Sequence, residues 1–272
     1  MPAVLLLVFG LMLLPLLPDQ LPLKDAREEA EVAHAAKNFW RNKNQWFRGA
    51  IIRGDTSRRQ IALVFTGDEA ADGGETIRQT LKTHGVKASF FLTGRFYRNQ
   101  AFAPIIQQLK ADGHYLGAHS DDHLLYCDWT KRDSLLISKE TFRQDLSRNY
   151  AEMKRFGVQK KDARYFLPPY EWYNDTIAAW TKAENLQLIN YTPGTLSHAD
   201  YTTPEARNYR PSRVILQSIY EYENRRGLNG FLLLMHIGTD PRRTDKLYSH
   251  LDELLLYLEK KNYRLRRVDE LL

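Results

Sequence analysis

From Ile61 to the C-terminus the chain repeats one pattern: a short apolar run, a polar loop, then an amphipathic stretch ended by glycine or a polar residue. The apolar runs fall at residues 61–65, 87–93, 114–118, 164–167, 186–190, 231–236 and 263–268. Between them lie helical stretches at 75–84 and 102–110, and a long one from Ser138 to Gly157 with Phe142, Leu146, Tyr150 and Met153 on one face. Later stretches carry Ile177 and Trp180, then Val214, Ile215 and Ile219, then Leu247, Leu251, Leu254 and Leu258. Ser138 and Asn174 have the side chains of helix N-caps, and Pro211 suits a helix opening. Strand and helix alternating in this way predict an α/β fold, a parallel sheet with helices outside it. No G-x-G-x-x-G follows any strand, which favours a closed or distorted (β/α) barrel over a dinucleotide fold. Functional groups of such barrels gather where strands end, which directs attention to Asp68, His119, residues 168–170, Asn190 and His236.

At 272 residues, 43% of them hydrophobic, the chain can bury one sizeable core. We expect that domain at residues 61–272. Before it, residues 23–60 read as an N-terminal helical extension, polar and helical from 26 to 47. Residues 1–22 read as a signal peptide or hydrophobic anchor. The apolar run at 1–17 is short of the roughly 20 residues that span a bilayer. It has the length of a signal-peptide core, though no Lys or Arg precedes it and no small-x-small site follows. Export to the periplasm, cell surface or medium is expected, with membrane contact only through this segment.

The net charge is +6. Lys37, Arg41, Lys43, Arg48, Arg53, Arg58 and Arg59 face a single acid, Asp55, in the stretch they share. Without a nucleic-acid motif beside it, this reads as a solvated surface, and no nucleic-acid partner is expected. Cys127 is the lone cysteine. An intrachain disulfide and a thiolate metal site are therefore excluded, so any metal must take nitrogen and oxygen ligands.

The segment His119-Ser120-Asp121-Asp122-His123 supplies such nitrogens. Histidines four apart can fall on one side of a helical turn and share an ion, and neutral imidazoles suit zinc or another first-row divalent ion such as cobalt, nickel or manganese. Asp68, in the loop after the strand at 61–65, is the expected third ligand. Two imidazoles, a carboxylate and an open position form a hydrolytic metal centre. His236, ending an apolar strand, is either a hydrogen-bonded core histidine or a general acid for a leaving amine.

Together these residues resemble the polysaccharide deacetylase (NodB homology) family. His119, Ser120 and His123 match its H-[ST]-x-x-H motif, Leu233-Leu234-Met235-His236 its final L-x-x-H, and Phe166-Leu167-Pro168-Pro169-Tyr170 its proline-aromatic motif. The resemblance spans about residues 61–272. It implies a distorted (β/α) barrel, a zinc-type ion on Asp68, His119 and His123, and hydrolytic removal of acetyl groups from an N-acetylglucosamine polymer or acetylated xylan. It also implies backbone N–H groups near Tyr170 holding the oxyanion and His236 as the acid. Tyr170, Trp172 and Tyr191 are candidates to stack on sugar rings.

Two departures stand out. The family's T-F-D-D is replaced by Phe65-Thr66-Gly67-Asp68-Glu69, which with Asp68 on the metal puts Gly67 in the base position. Leu167 stands where an Arg usually supports that base. Glu69 is the preferred substitute base. Asp68 itself, with Glu69 as ligand, and Glu171 are the alternatives. The paired loss also leaves room for a catalytically silent carbohydrate-binding relative, or for a hydrolase of another amide or ester bond.

Overall fold

The computed structural model describes residues 43–272. The expected leader and the helical stretch from residue 26 up to residue 42 lie outside the described residues. Strands β3 (Gln60–Gly67), β4 (Ser89–Leu92), β5 (Tyr115–Ala118), β6 (Tyr165–Phe166), β7 (Gln187–Leu188) and β8 (Phe231–His236) run parallel in the order β8-β3-β4-β5-β6-β7. Strand β9 (Arg264–Leu265) pairs with the start of β3.

The expected helical extension is corrected at its C-terminal end. Residues 45–53 form a hairpin of β1 (Gln45–Phe47) and β2 (Ala50–Arg53). Its two-residue turn, Arg48-Gly49, has both residues left-handed, at φ 45° and 78°; mirror-image turns of this kind suit the twist of a hairpin. Strand β2 is a stave of the barrel. It pairs with β8 at Arg53 and Phe231 on one side and bridges Ile189, just past β7, through Ile51 on the other. Asn190 N–H donates to the Ile51 carbonyl at 2.9 Å, which closes the circuit. The folded domain therefore begins before residue 61.

The helices are α1 (Gly74–Thr83), α2 (Gly94–Arg98), α3 (Ala103–Ala111), α4 (Lys139–Arg155), α5 (Asp175–Ala183), α6 (Ser212–Arg226), α7 (Leu251–Lys260) and α8 (Val268–Leu271). Ser138 accepts from the Thr141 N–H and Asn174 from the Ile177 N–H, so both expected caps form. The closing strand is shorter than expected, because Val268 already opens α8 with its N–H on Ser89 Oγ. Among the described residues no helix is long and apolar enough to cross a membrane.

Side-chain alternation splits the core into two layers. Ile61, Leu63 and Phe65 of β3, with Phe231, Leu233 and Met235 of β8, pack outward under the helices. Ala62, Val64, Leu232 and Leu234 point inward and meet Phe91, Tyr115, Leu167 and Ile189. Continuing that alternation, Thr66 and His236, which are paired in register, emerge on the inner face where the strands end.

Candidate functional site

A cavity of about 460 Å³ opens at this end of the barrel. Its polar wall holds Thr66, Asp68, His119, His123, Glu171, His198 and His236, and its aromatic wall Trp129, Tyr170, Trp172, Tyr191 and Tyr201. Apart from Glu69, the residues expected to carry chemistry thus meet in one place.

His119 leaves the end of β5 fully committed. Its N–H donates to Asn149 Oδ1 at 3.0 Å, and its Nδ1 lies 2.8 Å from the Leu167 carbonyl. A carbonyl on Nδ1 requires the proton there and leaves Nε2 with its lone pair free, which is how metal-binding imidazoles are usually oriented. The His119–His123 segment is not the helical turn expected. Ser120 and His123 are both left-handed, at φ 73° and 52°, and the chain loops so that the two rings meet edge to face at 5.1 Å. Burial holds His119 down to about 3 and His123 to about 4, so both imidazoles are neutral at physiological pH.

What holds the loop is a carboxylate that the sequence reading passed over. Asp145 on α4, fully buried, accepts from Ser120 Oγ at 2.6 Å and from the N–H groups of Asp121 and Asp122 at 3.1 and 3.0 Å. Asp121, Asp122 and Asp145 have oxygens within 4.8 Å of one another. Arg98 and Arg148 face the first two, so this acidic group already has its counter-charges. Asn149, one turn on from Asp145, also reaches the Leu92 carbonyl and ties β4 to the base of His119.

On the opposite wall, His236 Nδ1 lies 2.6 Å from Asp200 Oδ1, and its N–H donates to Asp200 Oδ2. Burial alone would lower the His236 pKa, but the buried Asp200 carboxylate outweighs it and the net shift is upward. The general-acid reading of His236 therefore acquires a partner. Asp200 sits on a turn with no regular pattern, and nothing in the sequence flagged it. His198, also unforeseen, stacks on Tyr191 at 4.7 Å with its Nδ1 unpartnered.

The acid-bearing loop departs most from expectation. Asp68 lines the cavity, yet its carboxylate accepts from Thr93 Oγ1 at 2.8 Å and from Arg95 at 2.7 Å. Among the described residues, Asp68, His119 and His123 do not form a group whose ligand atoms all lie within 4.8 Å. Glu69 is 77% exposed, pairs with Arg95 and lines an adjoining pocket that shares Asp68, Tyr201 and His236 with this cavity. Glu69, expected as the base, is thus exposed and paired with Arg95 rather than held among the imidazoles. Gly67 also differs: a Cβ there would lie 2.6 Å from Ile237 Cγ2, 2.8 Å from Leu92 Cδ2 and 3.0 Å from Phe96 Cε2. It faces the outer apolar layer, so no side chain at 67 reaches the cavity. The inward residue is Thr66, 2% exposed, with its hydroxyl unpartnered.

The two neutral imidazoles, one with its ring fixed by the Leu167 carbonyl, fit a divalent ion. Asp68 offers an additional oxygen, since a carboxylate has about four lone-pair sites and here two hydrogen bonds occupy it.

Of the aromatics expected to meet sugar, Tyr170 packs on His123 at 4.4 Å and is 44% exposed. Trp172 has one face under Arg132 at 3.9 Å, and Tyr191 lies against His198. Trp129, 56% exposed and 5.6 Å from Tyr170, and Tyr201, 5.0 Å from His236, extend this rim. A short polar segment around Trp129 carries no periodicity, which is why the sequence did not single it out.

Comparison with known proteins bears on the family and the fold. The chain is 22% identical over 226 residues to the peptidoglycan-N-acetylmuramic acid deacetylase PdaA of Bacillus subtilis, covering 82% of this chain and 75% of that one. The structure of PdaA, described as a family 4 carbohydrate esterase, shares the fold with a TM-score of 0.62 at 20% identity, over 87% of this chain and 88% of that one. A CE4 family pseudoenzyme from Bacillus anthracis is as similar in fold, with a TM-score of 0.62 at 20% identity, over 83% of this chain and 69% of that one. The sequence profile described as polysaccharide deacetylase matches residues 53–189, beginning at the stave the hairpin adds. The match covers half of the chain and the distorted barrel fold accords with it, and the chain belongs to the polysaccharide deacetylase family.

Proposed function

We propose that the protein is a metal-dependent hydrolase that removes acetyl groups from an exported or cell-wall polysaccharide, with a zinc-type ion on His119, His123 and Asp68. The observation that carries this reading is the cavity itself, where a neutral, oriented imidazole pair faces a carboxylate-held imidazole across an aromatic rim. A bound divalent ion would polarise the acyl oxygen and acidify water there. The protein's own groups supply the rest. Trp129, Tyr170 and Tyr201 present exposed rings on which sugar rings can stack, and His236, its Nδ1 held by Asp200, can give a proton to the departing amine. Similarity to peptidoglycan deacetylases makes acetylated peptidoglycan the substrate class to test first. Acetate release from peptidoglycan fragments, chitooligosaccharides and acetylated xylan, with and without a chelator, tests the reading; release unaffected by chelator would refute it.

A second reading has a specific observation behind it. Asp68 is engaged by Arg95 and Thr93, and β3 presents Thr66 to the cavity, so the protein has the groove of a sugar binder whose acid on that wall is already paired. Sugar binding with no acetate release in the presence of metal would favour it.

A further inference from the structure

We propose that Glu171 is the general base of this site, entering the cavity from the turn after β6 in place of an acid on β3. The inference rests on the deacetylase reading above and deepens it by naming the group that takes the proton of the attacking water.

Strand β3 cannot supply that group. Its inward side chain at the cavity floor is the hydroxyl of Thr66, Gly67 faces the outer apolar layer, Asp68 is tied to Thr93 and Arg95, and Glu69 points to the neighbouring surface. Glu171 arrives from the other side. After Pro168 and Pro169 the chain adopts two consecutive left-handed residues, Tyr170 at φ 57° and Glu171 at φ 53°. Non-glycine residues rarely adopt this conformation, and it persists where surrounding contacts enforce it. Here they do. Asn190 Nδ2 donates to the Glu171 carbonyl at 2.8 Å, the Glu171 N–H donates to the Pro168 carbonyl, and the Trp172 N–H to that of Pro169. The pinned turn sends the Glu171 side chain into the cavity that holds His119, His123 and His236.

No hydrogen bond among the described residues ends on the Glu171 carboxyl. Burial raises its pKa to about 7, with His236 pulling it down and Asp200 pushing it up. A carboxyl that is half-buried, free of hydrogen bonds to the described residues and able to exchange its proton near neutrality has the properties a base needs. A purely structural glutamate would be expected to hold a hydrogen-bonded partner.

The step balances without a further reactant. Water oxygen bonds to the acyl carbon as its proton passes to the Glu171 carboxylate. The carbon–nitrogen bond then breaks as the His236 imidazolium gives its proton to the amine nitrogen. Acetic acid and a free amine leave, and the proton on Glu171 returns to His236 through solvent.

The test compares wild type, Glu171→Gln and Glu171→Ala for acetate release from chitooligosaccharides and peptidoglycan fragments, together with zinc stoichiometry and thermal unfolding. A positioned base contributes 10²–10⁴-fold. The expected result is a kcat loss of at least about 100-fold in Glu171→Gln, with KM and zinc content within about twofold of wild type. Added formate, a small carboxylate, should restore at least about a tenth of the lost rate to Glu171→Ala. Turnover of Glu171→Gln within about threefold of wild type would overturn the assignment, as would loss of zinc in that variant, which would make Glu171 a ligand. Wild type that binds zinc but releases no acetate from these substrates would instead defeat the deacetylase reading, and the base assignment with it.

Discussion

Replacing Thr66 or Gly67 by aspartate should have very unequal costs, although the two positions are adjacent. At Gly67 the new Cβ would sit 2.6–3.0 Å from Ile237, Leu92 and Phe96. Relieving such overlap costs about 1–3 kcal/mol. A carboxyl placed in that apolar layer finds no partner, at a further cost of about 2–3 kcal/mol even if it protonates. Gly67→Asp should therefore lose about 3–6 kcal/mol, a large share of the 5–15 kcal/mol typical of a domain. At Thr66 the aspartate replaces an unpartnered hydroxyl and faces the cavity beside the imidazoles, so Thr66→Asp should lose less than about 1.5 kcal/mol. Urea unfolding followed by tryptophan fluorescence measures both, and Gly67→Asp should move the midpoint down by more than about 1 M. Equal stability of the two variants would mean that position 67 faces the cavity, and the inward–outward assignment of β3 would be wrong.

Asp145→Asn removes the charge and one of the two buried oxygens that accept from Ser120 Oγ and two loop N–H groups, each such bond to a charged group being worth about 1.5–3 kcal/mol. Calorimetry should show a Tm lower by about 6–12 °C, and zinc affinity should fall about 10–100-fold as the His119–His123 loop loosens. In Asp200→Asn the His236 imidazole keeps its burial and loses its carboxylate, so its pKa, followed by NMR, should fall below the wild-type value; an unchanged titration would remove Asp200 as its partner. Chelator-treated protein should lose stability as pH falls below about 6.5, the unfolded histidine value. His114, His119 and His123, held by burial to about 4, 3 and 4, stay neutral in the fold while the unfolded chain takes up protons. Each contributes a slope of up to roughly 1.4 kcal/mol per pH unit, fully stabilising above 6.5 and lost on acidification toward the folded values. His84 and His236 shift upward, so their effect falls above pH 6.5 and does not mask this one. A stability flat from pH 7 to 5 in urea titrations would contradict it.

Much of the framework was written locally. The strand at Phe231–His236, the caps Ser138 and Asn174, and the placing of His119, His123 and His236 at strand ends all follow from periodicity and end signals, which depend on neighbours in sequence. A further signal was legible but unused: Asp145 and Asn149 interrupt the buried stripe of α4 at a four-residue spacing, and buried polar residues need partners. The hairpin at residues 45–53 was also marked, by Arg48-Gly49 between apolar residues, but the polar stretch before it reads as helix and drew it in.

The remaining assignments depended on which groups meet across the fold. β3 is apolar on both faces, so its alternation told that Thr66 and Gly67 point oppositely, without telling which faces the interior; the helices packed over Phe65 decide that. Asp200 is 36 residues from His236 in a turn without pattern, and only the packing of that turn against the end of β8 makes them a pair. The sequence by itself determined the order of strands and helices and the chemistry available at their ends, because those are short-range properties of the chain. Tertiary structure alone decided that β2 closes the barrel, that Glu69 turns away and that Glu171 turns in, because burial and the partner of each charge are set by contacts between distant segments.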